Sequence, residues 1–324
     1  MNRSLITGIT GQDGLHLTQL LLEKDYEVFG TTTSSAPARN EFFRKKFPSV
    51  KLVEMSLLDS NEIANVISRV KPNEIYNLAS ISSVARSFLE PELVHEVNAL
   101  GPVRIIDALS ILGLENSVKM YQASTSEMFG KAVVFPQDES TPLNPVSPYA
   151  TSKVFAHEYC GAERAKGMFI SCGILFNHES PYRSEGFVSK KICRGVAEIS
   201  LGMREKITLG SLSPERDWGF AGDYVEAMWA MLQQDSSGDF VIATGHSRSI
   251  QEFLNAALIA AKLDGGTQDY VAQDQQLFRP NEISKSVGDA SKAKLVLNWS
   301  PRTTFEEMVA LMVESEVKEL SKGM

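Results

Sequence analysis

Apolar and polar positions fall into short blocks along the first half of the chain, and the period of the pattern changes from block to block. "RSLIT" (3–7) is an apolar run that enters a glycine turn. "LHLTQLLLEKD" (15–25) sets Leu15, Leu17, Leu20, Leu21 and Leu22 on one helical face, and "YEVFG" (26–30) reads as a second strand closed by Gly30. "VKLVEMSLLD" (50–59) predicts a third strand. "SNEIANVISRVKP" (60–72) predicts a helix with Ser60 as its cap and Pro72 as its stop. "EIYNLAS" (74–80) and "SVKMYQAST" (117–125) read as strands on either side of a helix over 91–112. Strands that alternate with helices predict an α/β fold, a Rossmann-type doubly wound parallel sheet covered on both faces. The alternation fades near residue 175. Beyond it, stretches rich in Pro, Gly and charge separate helices predicted near 188–202, 222–234, 249–263 and 303–321. The expected division is a dinucleotide-binding domain over 1–175 and a smaller, mixed domain over 176–324, with some chain returning to the first. No Gly/Ser linker separates them, so the halves are expected to pack tightly around a cleft.

Composition narrows the partners. The 324 residues carry a net charge of −8 and a pI near 5.3, without the basic footprint of a nucleic-acid binder. No apolar run reaches the ~18 residues of a membrane span. The opening "MNRSLITGITG" lacks a signal-peptide core, which predicts a cytoplasmic protein. Cys160, Cys172 and Cys193 lack metal-ligand spacing, and their odd number argues against a disulfide framework, so no metal is expected.

Three stretches carry candidate chemistry. "TGITGQDG" spaces Gly8, Gly11 and Gly14 three residues apart between a strand and a helix. There, glycines let the backbone approach a pyrophosphate and the helix end supplies free N–H groups. "YQASTSEMFG" (121–130) ends an apolar run in Ser124, Thr125 and Ser126, then one carboxylate, Glu127. "SPYATSK" places Tyr149 and Lys153 four apart, on one helical face, with Pro148 suited to the helix start. An ammonium near Tyr149 is expected to pull its phenol toward base duty, and Lys153 is also suited to hold a cofactor ribose.

Together with "NLAS" (77–80), these stretches resemble an extended short-chain dehydrogenase/reductase. "GILFNHESP" (173–181), "FVSKKI" (187–192), "RDWGFAGDYVEAMW" (216–229), "FVIATG" (240–245) and "FRPNEI" (278–283) extend the resemblance to the GDP-mannose 4,6-dehydratases, over nearly the whole chain. The resemblance implies a catalytic set of Thr125, Glu127, Tyr149 and Lys153. In such a reaction the sugar is oxidised at C4, loses its C5 proton and the C6 hydroxyl, and receives the hydride back at C6. A plain reductase does not need the C5 base, so Glu127 favours the dehydratase. The resemblance further implies Gly8, Gly11, Gln12, Asp13, Gly14, Thr33, Ser34, Leu57 and Leu78, with Tyr149 and Lys153, along an NADP cofactor, NAD being possible. It implies Ser82, Ser126, Asn177, Lys191, Arg216, Arg279 and Glu282 along a GDP-sugar, in a homodimer or homotetramer. Arg183 and Lys190 are expected in surface salt bridges, and His178 is expected to be packed rather than catalytic.

The chain departs from that pattern at the adenosine end. Thr33 and Ser34 stand where the family has adjacent arginines suited to a 2′-phosphate, Ser56 where it has an Asp, and Ile81 where it has a Gln. Other readings are a dehydratase of another GDP-sugar (a heptose or amino sugar), a GDP-4-keto-6-deoxysugar reductase, and a non-catalytic dinucleotide sensor.

Overall fold

A computed structural model describes residues 2–277 and 282–322. In chain order the strands are β1 (Arg3–Thr7), β2 (Glu27–Thr32), β3 (Lys51–Glu54), β4 (Glu74–Asn77), β5 (Lys119–Thr125), β6 (Ile170–Leu175), β7 (Asn177–Glu179), β8 (Ile207–Leu209), β9 (Glu215–Phe220), β10 (Asp239–Ile242), β11 (Ser247–Ser249) and β12 (Val271–Gln273). Seven of them form one parallel sheet in the order β10-β6-β5-β4-β1-β2-β3. β7, β9 and β11 make a mixed three-stranded sheet, and β8 pairs with β12. The fold is the doubly wound Rossmann type with a smaller mixed region. Strand order reverses at β1, between β2 and β4, so a crevice opens above the C-terminal ends of these strands.

The helices are α1 (Gln12–Glu23), α2 (Pro37–Lys46), α3 (Ser60–Val70), α4 (Val84–Leu89), α5 (Pro91–His95), α6 (Gly101–Ile111), α7 (Pro148–Ala165), α8 (Val188–Ser200), α9 (Ala221–Leu232), α10 (Ile250–Ala260), α11 (Thr267–Tyr270), α12 (Ser291–Leu297) and α13 (Phe305–Ser321). On one face of the large sheet, α1 and α9 bury Leu17, Leu21, Tyr224, Met228 and Met231. On the other, α3 and α6 bury Ile63, Ile67, Ile105 and Leu109. A third core joins α8, α10 and α13 around Trp218 and Phe253. Chain beyond residue 175 thus supplies both a strand, β10, and a covering helix, α9, to the large sheet.

Several elements differ from the sequence reading, each for a local reason. α3 is capped by Asp59, whose carboxylate accepts from the Asn61 and Glu62 amides; Ser60 is the first helical residue instead. The third strand ends at Glu54, because the Ser56 amide turns to donate to Glu62 Oε2 at 2.8 Å. Gly30 lies inside β2 rather than at its end. A Cβ there would come within 2.1 Å of Ile9 Cδ1, so the glycine makes room for the Ile9 side chain. The helix over 91–112 widens to a π turn at Glu96–Leu100, just before Pro102, which has no N–H to continue the ladder. α2 was not anticipated: only Asn40 and Phe43 of its ten residues are buried, so it carries almost no apolar period.

The second half is held by a buried carboxylate. Asp217 of β9 accepts from the Thr244 amide (2.8 Å) and hydroxyl (2.6 Å), the Gly245 amide (2.9 Å) and the Gly288 amide (3.2 Å). It ties β9 to the loop after β10 and to the segment at Gly288. Asp217→Ala leaves these donors without an acceptor, and a loss of about 2–4 kcal/mol is expected. Urea unfolding should show a lower midpoint at unchanged slope; a wild-type midpoint would show that water replaces the carboxylate.

Candidate active site

The crevice has a volume of about 1630 Å³ and is walled by both halves of the chain. Its floor begins at the glycine turn. Gly8 has φ +65°, and a Cβ there would lie 2.8 Å from Ala79 Cα. The Gly11 amide donates to Gly8 O at 2.9 Å, which closes the turn. Gly11 is also the N-cap of α1, and no side chain caps that helix. Its first-turn N–H groups therefore remain available, and this donor set fits the pyrophosphate of a dinucleotide.

Gln12 and Asp13 also reach across to the second half. Gln12 Nε2 donates to His178 O (2.9 Å), and Ser180 Oγ donates to Gln12 Oε1 (3.0 Å). The Asp13 carboxylate lies 3.0 Å from His178 Nε2, while His178 Nδ1 lies 2.8 Å from the Phe176 carbonyl. Both ring nitrogens thus face acceptors, an arrangement that suits the imidazolium. Burial raises the Asp13 carboxyl, but His178 and Arg183 outweigh it and hold it at about 2. Burial lowers His178, but Asp13 outweighs it and raises its pKa. His178 also stacks on Tyr224 at 4.8 Å, so it is packed, as expected.

At the adenosine end, Thr33 lines the crevice with Leu57 and Leu78. Ser34 is exposed, and its amide donates to Glu54 Oε1 at 3.2 Å.

The candidate catalytic groups meet where β5 ends and α7 begins. Thr125 is the last residue of β5 and caps the following 3₁₀ turn through the Glu127 amide (3.3 Å). α7 starts at Pro148 under a Ser147 cap, which puts Tyr149 in its first turn and Lys153 one turn on. Thr125, Ser126, Glu127, Tyr149 and Lys153 all line the crevice. Burial pushes the Tyr149 phenol up to about 12; Thr125 and Arg183 favour its ionised form, and Glu127 and Asp13 oppose it. Burial also pulls Lys153 down to about 8, leaving it largely protonated at neutral pH. Lys153 Nζ donates to Ala123 O at 2.9 Å. The expected lowering of the phenol by Lys153 is therefore not reached by these two groups alone: burial is the larger influence.

Ser82, Asn177 and Lys191 line the same crevice. Arg216 and Glu282 face each other, with Arg216 Nη2 donating to Glu282 Oε1 at 2.8 Å, and Arg216 Nη1 also bonds the carbonyls of Glu215 and Ile283. Arg279 lies outside the described residues. Two expectations of surface salt bridges change. Lys190 is buried, donates to Pro181 O at 3.0 Å and pairs with the buried Glu316 of α13. Arg183 is mostly buried in the crevice wall, 3.0 Å from Glu179 and 3.6 Å above the Phe187 ring. Both partners lie four residues from Arg183 in the chain, Glu179 before it and Phe187 after it.

A family model described as GDP-mannose 4,6 dehydratase matches residues 5–312. The chain belongs to this family. It is 45% identical to GDP-mannose 4,6 dehydratase 2 of Arabidopsis thaliana, over 98% of this chain and 87% of that one. It is 43% identical to the GDP-mannose 4,6 dehydratase of Homo sapiens, over 98% and 92%. Among solved structures, dTDP-glucose 4,6-dehydratase of Bacillus anthracis in complex with NAD aligns with a TM-score of 0.83 at 20% identity, over 99% of this chain and 98% of that one. That likeness concerns the fold. For this GDP-mannose 4,6 dehydratase family member, the bridge from Gln12 and Asp13 to His178 and Ser180 ties the glycine turn to the crevice wall formed by the second half of the chain.

The bridge has a pH signature. Asp13, with its lowered pKa, contributes stability above the ordinary carboxylate value of ~4, and this is lost as the pH falls toward 2. His178, with its raised pKa, contributes below its ordinary ~6.5, and this is lost as the pH rises through the raised value. The pair is therefore fully effective between about pH 4 and 6.5. His178→Gln is expected to cost about 3 kcal/mol or more within that window. The difference from wild type should narrow as the pH climbs past the His178 pKa. Denaturant titrations at several pH values check this, and a pH-independent difference would remove the charge from the account.

Proposed function

We propose that the protein is a GDP-mannose 4,6-dehydratase that converts GDP-mannose to GDP-4-keto-6-deoxymannose with a nicotinamide cofactor, NADP in the first place. The single observation that carries this reading is Glu127 placed beside Thr125 and Tyr149 at the end of β5, in a family-matched chain. A nicotinamide cofactor, held at the glycine turn of Gly8, Gly11 and Gly14, would supply the hydride acceptor for C4 and the hydride donor for C6. Tyr149 takes the proton of the C4 hydroxyl. Thr125 favours the phenolate that this requires. Lys153, fixed on the Ala123 carbonyl, keeps a positive charge at the base of the site. Glu127 takes the C5 proton made acidic by the C4 ketone and passes it to the C6 hydroxyl as water leaves; the proton taken by Tyr149 from the C4 hydroxyl balances the one that C5 regains when C6 is reduced. Asn177, Lys191, Arg216, Glu282 and Arg279 are assigned to the GDP-sugar, the cations to its diphosphate.

The domain reading is a cofactor half over 1–175 and a nucleotide-sugar half over 176–324. A homodimer or homotetramer in the cytoplasm, free of nucleic acid, completes the proposal. No helix among the described residues is long and apolar enough to cross a membrane. The exposed Ile111 of α6 and Phe155 of α7 support a covering partner copy. Another GDP-sugar is favoured as substrate only if the rim formed by Ile81, Ser82, Ser83 and Arg86 rejects mannose.

Glu127→Gln should bind GDP-mannose normally and lose about two orders of magnitude or more in turnover, the usual worth of a positioned base. The readout is the alkaline absorbance of the 4-keto product, with no cofactor added. Wild-type turnover in this variant would take Glu127 out of the mechanism. Tyr149→Phe should leave the unfolding midpoint near wild type and block the first oxidation, so that no reduced nicotinamide forms on mixing with GDP-mannose. Formation of reduced cofactor at the normal rate would defeat the Tyr149 assignment.

A further inference from the structure

We propose that His157, Cys172 and Asp239 form a site for one divalent transition-metal cation of the Zn²⁺ type at the edge of the large sheet. The three residues come from three elements: His157 from α7, Cys172 from β6 and Asp239 from the start of β10. One ligand atom of each (an imidazole nitrogen, the thiol sulfur and a carboxylate oxygen) lies within 4.8 Å of the other two. Among the described residues no other group of His, Cys, Asp and Glu converges in this way. The positions are far apart in the chain, so the cysteine spacing carries no metal signature. The pairing of β6 with β10, which sets Cys172 opposite Asp239, creates the site.

The imidazole is already oriented. Ser124 Oγ lies 3.0 Å from His157 Nδ1, and Nε2 lies 3.9 Å from Asp239 Oδ2. A polar partner on one ring nitrogen, with the other nitrogen turned to the ligand set, is the usual arrangement of a metal-binding histidine. Arg164 donates to Asp239 Oδ1 at 2.8 and 2.7 Å and to Oδ2 at 2.9 Å. A carboxylate offers about four acceptor positions, so one on Oδ2 remains, on the side of His157. Cys172 is fully buried, while the His157 and Asp239 side chains keep 13% and 29% of their exposure. An ion thus enters past the imidazole and carboxylate and meets the thiol at the inner end. Bonds of about 2.0 Å to nitrogen and oxygen and about 2.3 Å to sulfur bring tetrahedral ligand atoms to roughly 3.3–3.6 Å from one another. The trio must close by about 1 Å, which rotation of the two partly exposed side chains supplies, and a water completes the tetrahedron.

Two influences oppose the ion. Arg164 places a positive charge beside the carboxylate, and the Cys160 hydrogen bond together with burial raises the Cys172 thiol, whose proton the ion must displace. The affinity is therefore expected to fall below that of a closed four-ligand site. His157 stands one turn beyond Lys153 on α7, so a bound ion pins this helix to the edge strand β10 and to β6.

The test uses the full chain, dialysed against a chelator and then titrated with Co²⁺, whose spectrum reports its ligands. Wild type should take up about one Co²⁺ per chain with a thiolate-to-cobalt charge-transfer band in the near ultraviolet, and excess Zn²⁺ should bleach it. Cys172→Ala should lose the band, and Cys193→Ala should keep it. His157→Gln should weaken Co²⁺ binding about a hundredfold or more, and Ser124→Ala about tenfold, because the serine acts only through the imidazole. Zn²⁺ should raise the urea midpoint of wild type and leave that of His157→Gln unchanged. Chelator-treated variants with midpoints near that of chelator-treated wild type are folded. If Cys172→Ala does not fold, His157→Gln decides alone. No thiolate band in wild type, a band that survives in Cys172→Ala, or equal Zn²⁺ stabilisation of wild type and His157→Gln overturns the proposal. Co²⁺ uptake without the band would place the ion on surface carboxylates and overturn it as well.

Discussion

A buried ladder of polar side chains across the C-terminal ends of β1, β4 and β5 sets the position of everything else in the site. The Thr7 hydroxyl donates to Asn77 Oδ1 at 2.6 Å, Asn77 Nδ2 donates to Gln122 Oε1 at 2.8 Å, and Gln122 Nε2 donates to Ala123 O at 3.1 Å. Lys153 ends the series on the same Ala123 carbonyl. Thr7 Oγ1 also accepts from the Leu78 and Ala79 amides, which lead out of β4. Thr7, Asn77 and Gln122 are buried, so each unmet bond would cost more than a made bond contributes. That asymmetry fixes strand register where a purely apolar edge would tolerate a slip. It also places the glycine turn after Thr7 and the candidate catalytic run after Gln122 in one frame.

The second half joins this frame through few but well-satisfied polar nodes. The bond between Asp13 and His178 is one, and Gln12 with Ser180 runs beside it. A carboxylate in the first turn of α1 already complements the positive end of the helix. With His178 charged, the pair is close to neutral, and the helix end keeps its attraction for a pyrophosphate. Asp217 performs the corresponding task next to Arg216, since it holds the loop after β10 and the Gly288 segment together. The apolar cores supply most of the burial, but these carboxylates determine how the two walls of the crevice face each other.

The sequence pattern made legible those features whose partners are close in the chain. The sheet strands and α3 follow simple periods, and Tyr149 and Lys153 follow a helical spacing. Features that rest on distant partners stayed hidden. Gly30 is interior to β2 because of Ile9, and Lys190 is buried by Glu316 on the last helix. β10 offers only a short apolar run, and nothing local says that it extends a sheet begun more than two hundred residues earlier. α2 is polar along most of its length, and its identity as a helix comes from Pro37 at its start and Phe43 beneath it. The direction of the Tyr149 pKa also needed the fold, because burial is a tertiary property.

The two ends of the crevice are built on different physical terms, and this bears on how specificity is distributed. The end at β5 and α7 is held by the ladder, and a change there disturbs several bonds at once. At the end walled by the second half, Arg216 spends both Nη1 hydrogens on carbonyls and one Nη2 hydrogen on Glu282. Its plane is thereby preset, and its remaining donors are offered in a fixed direction at little entropic cost. The rim is different again: Ser82 is exposed there, and Arg86 is occupied by Glu90 on the outer side of α4. Rim residues take no part in the ladder or in the bonds that orient Arg216. Substitutions at the rim can therefore be made without disturbing the bonds that hold the ladder or orient Arg216. The departure of this chain at Ile81 lies in this rim, apart from the ladder that holds Lys153.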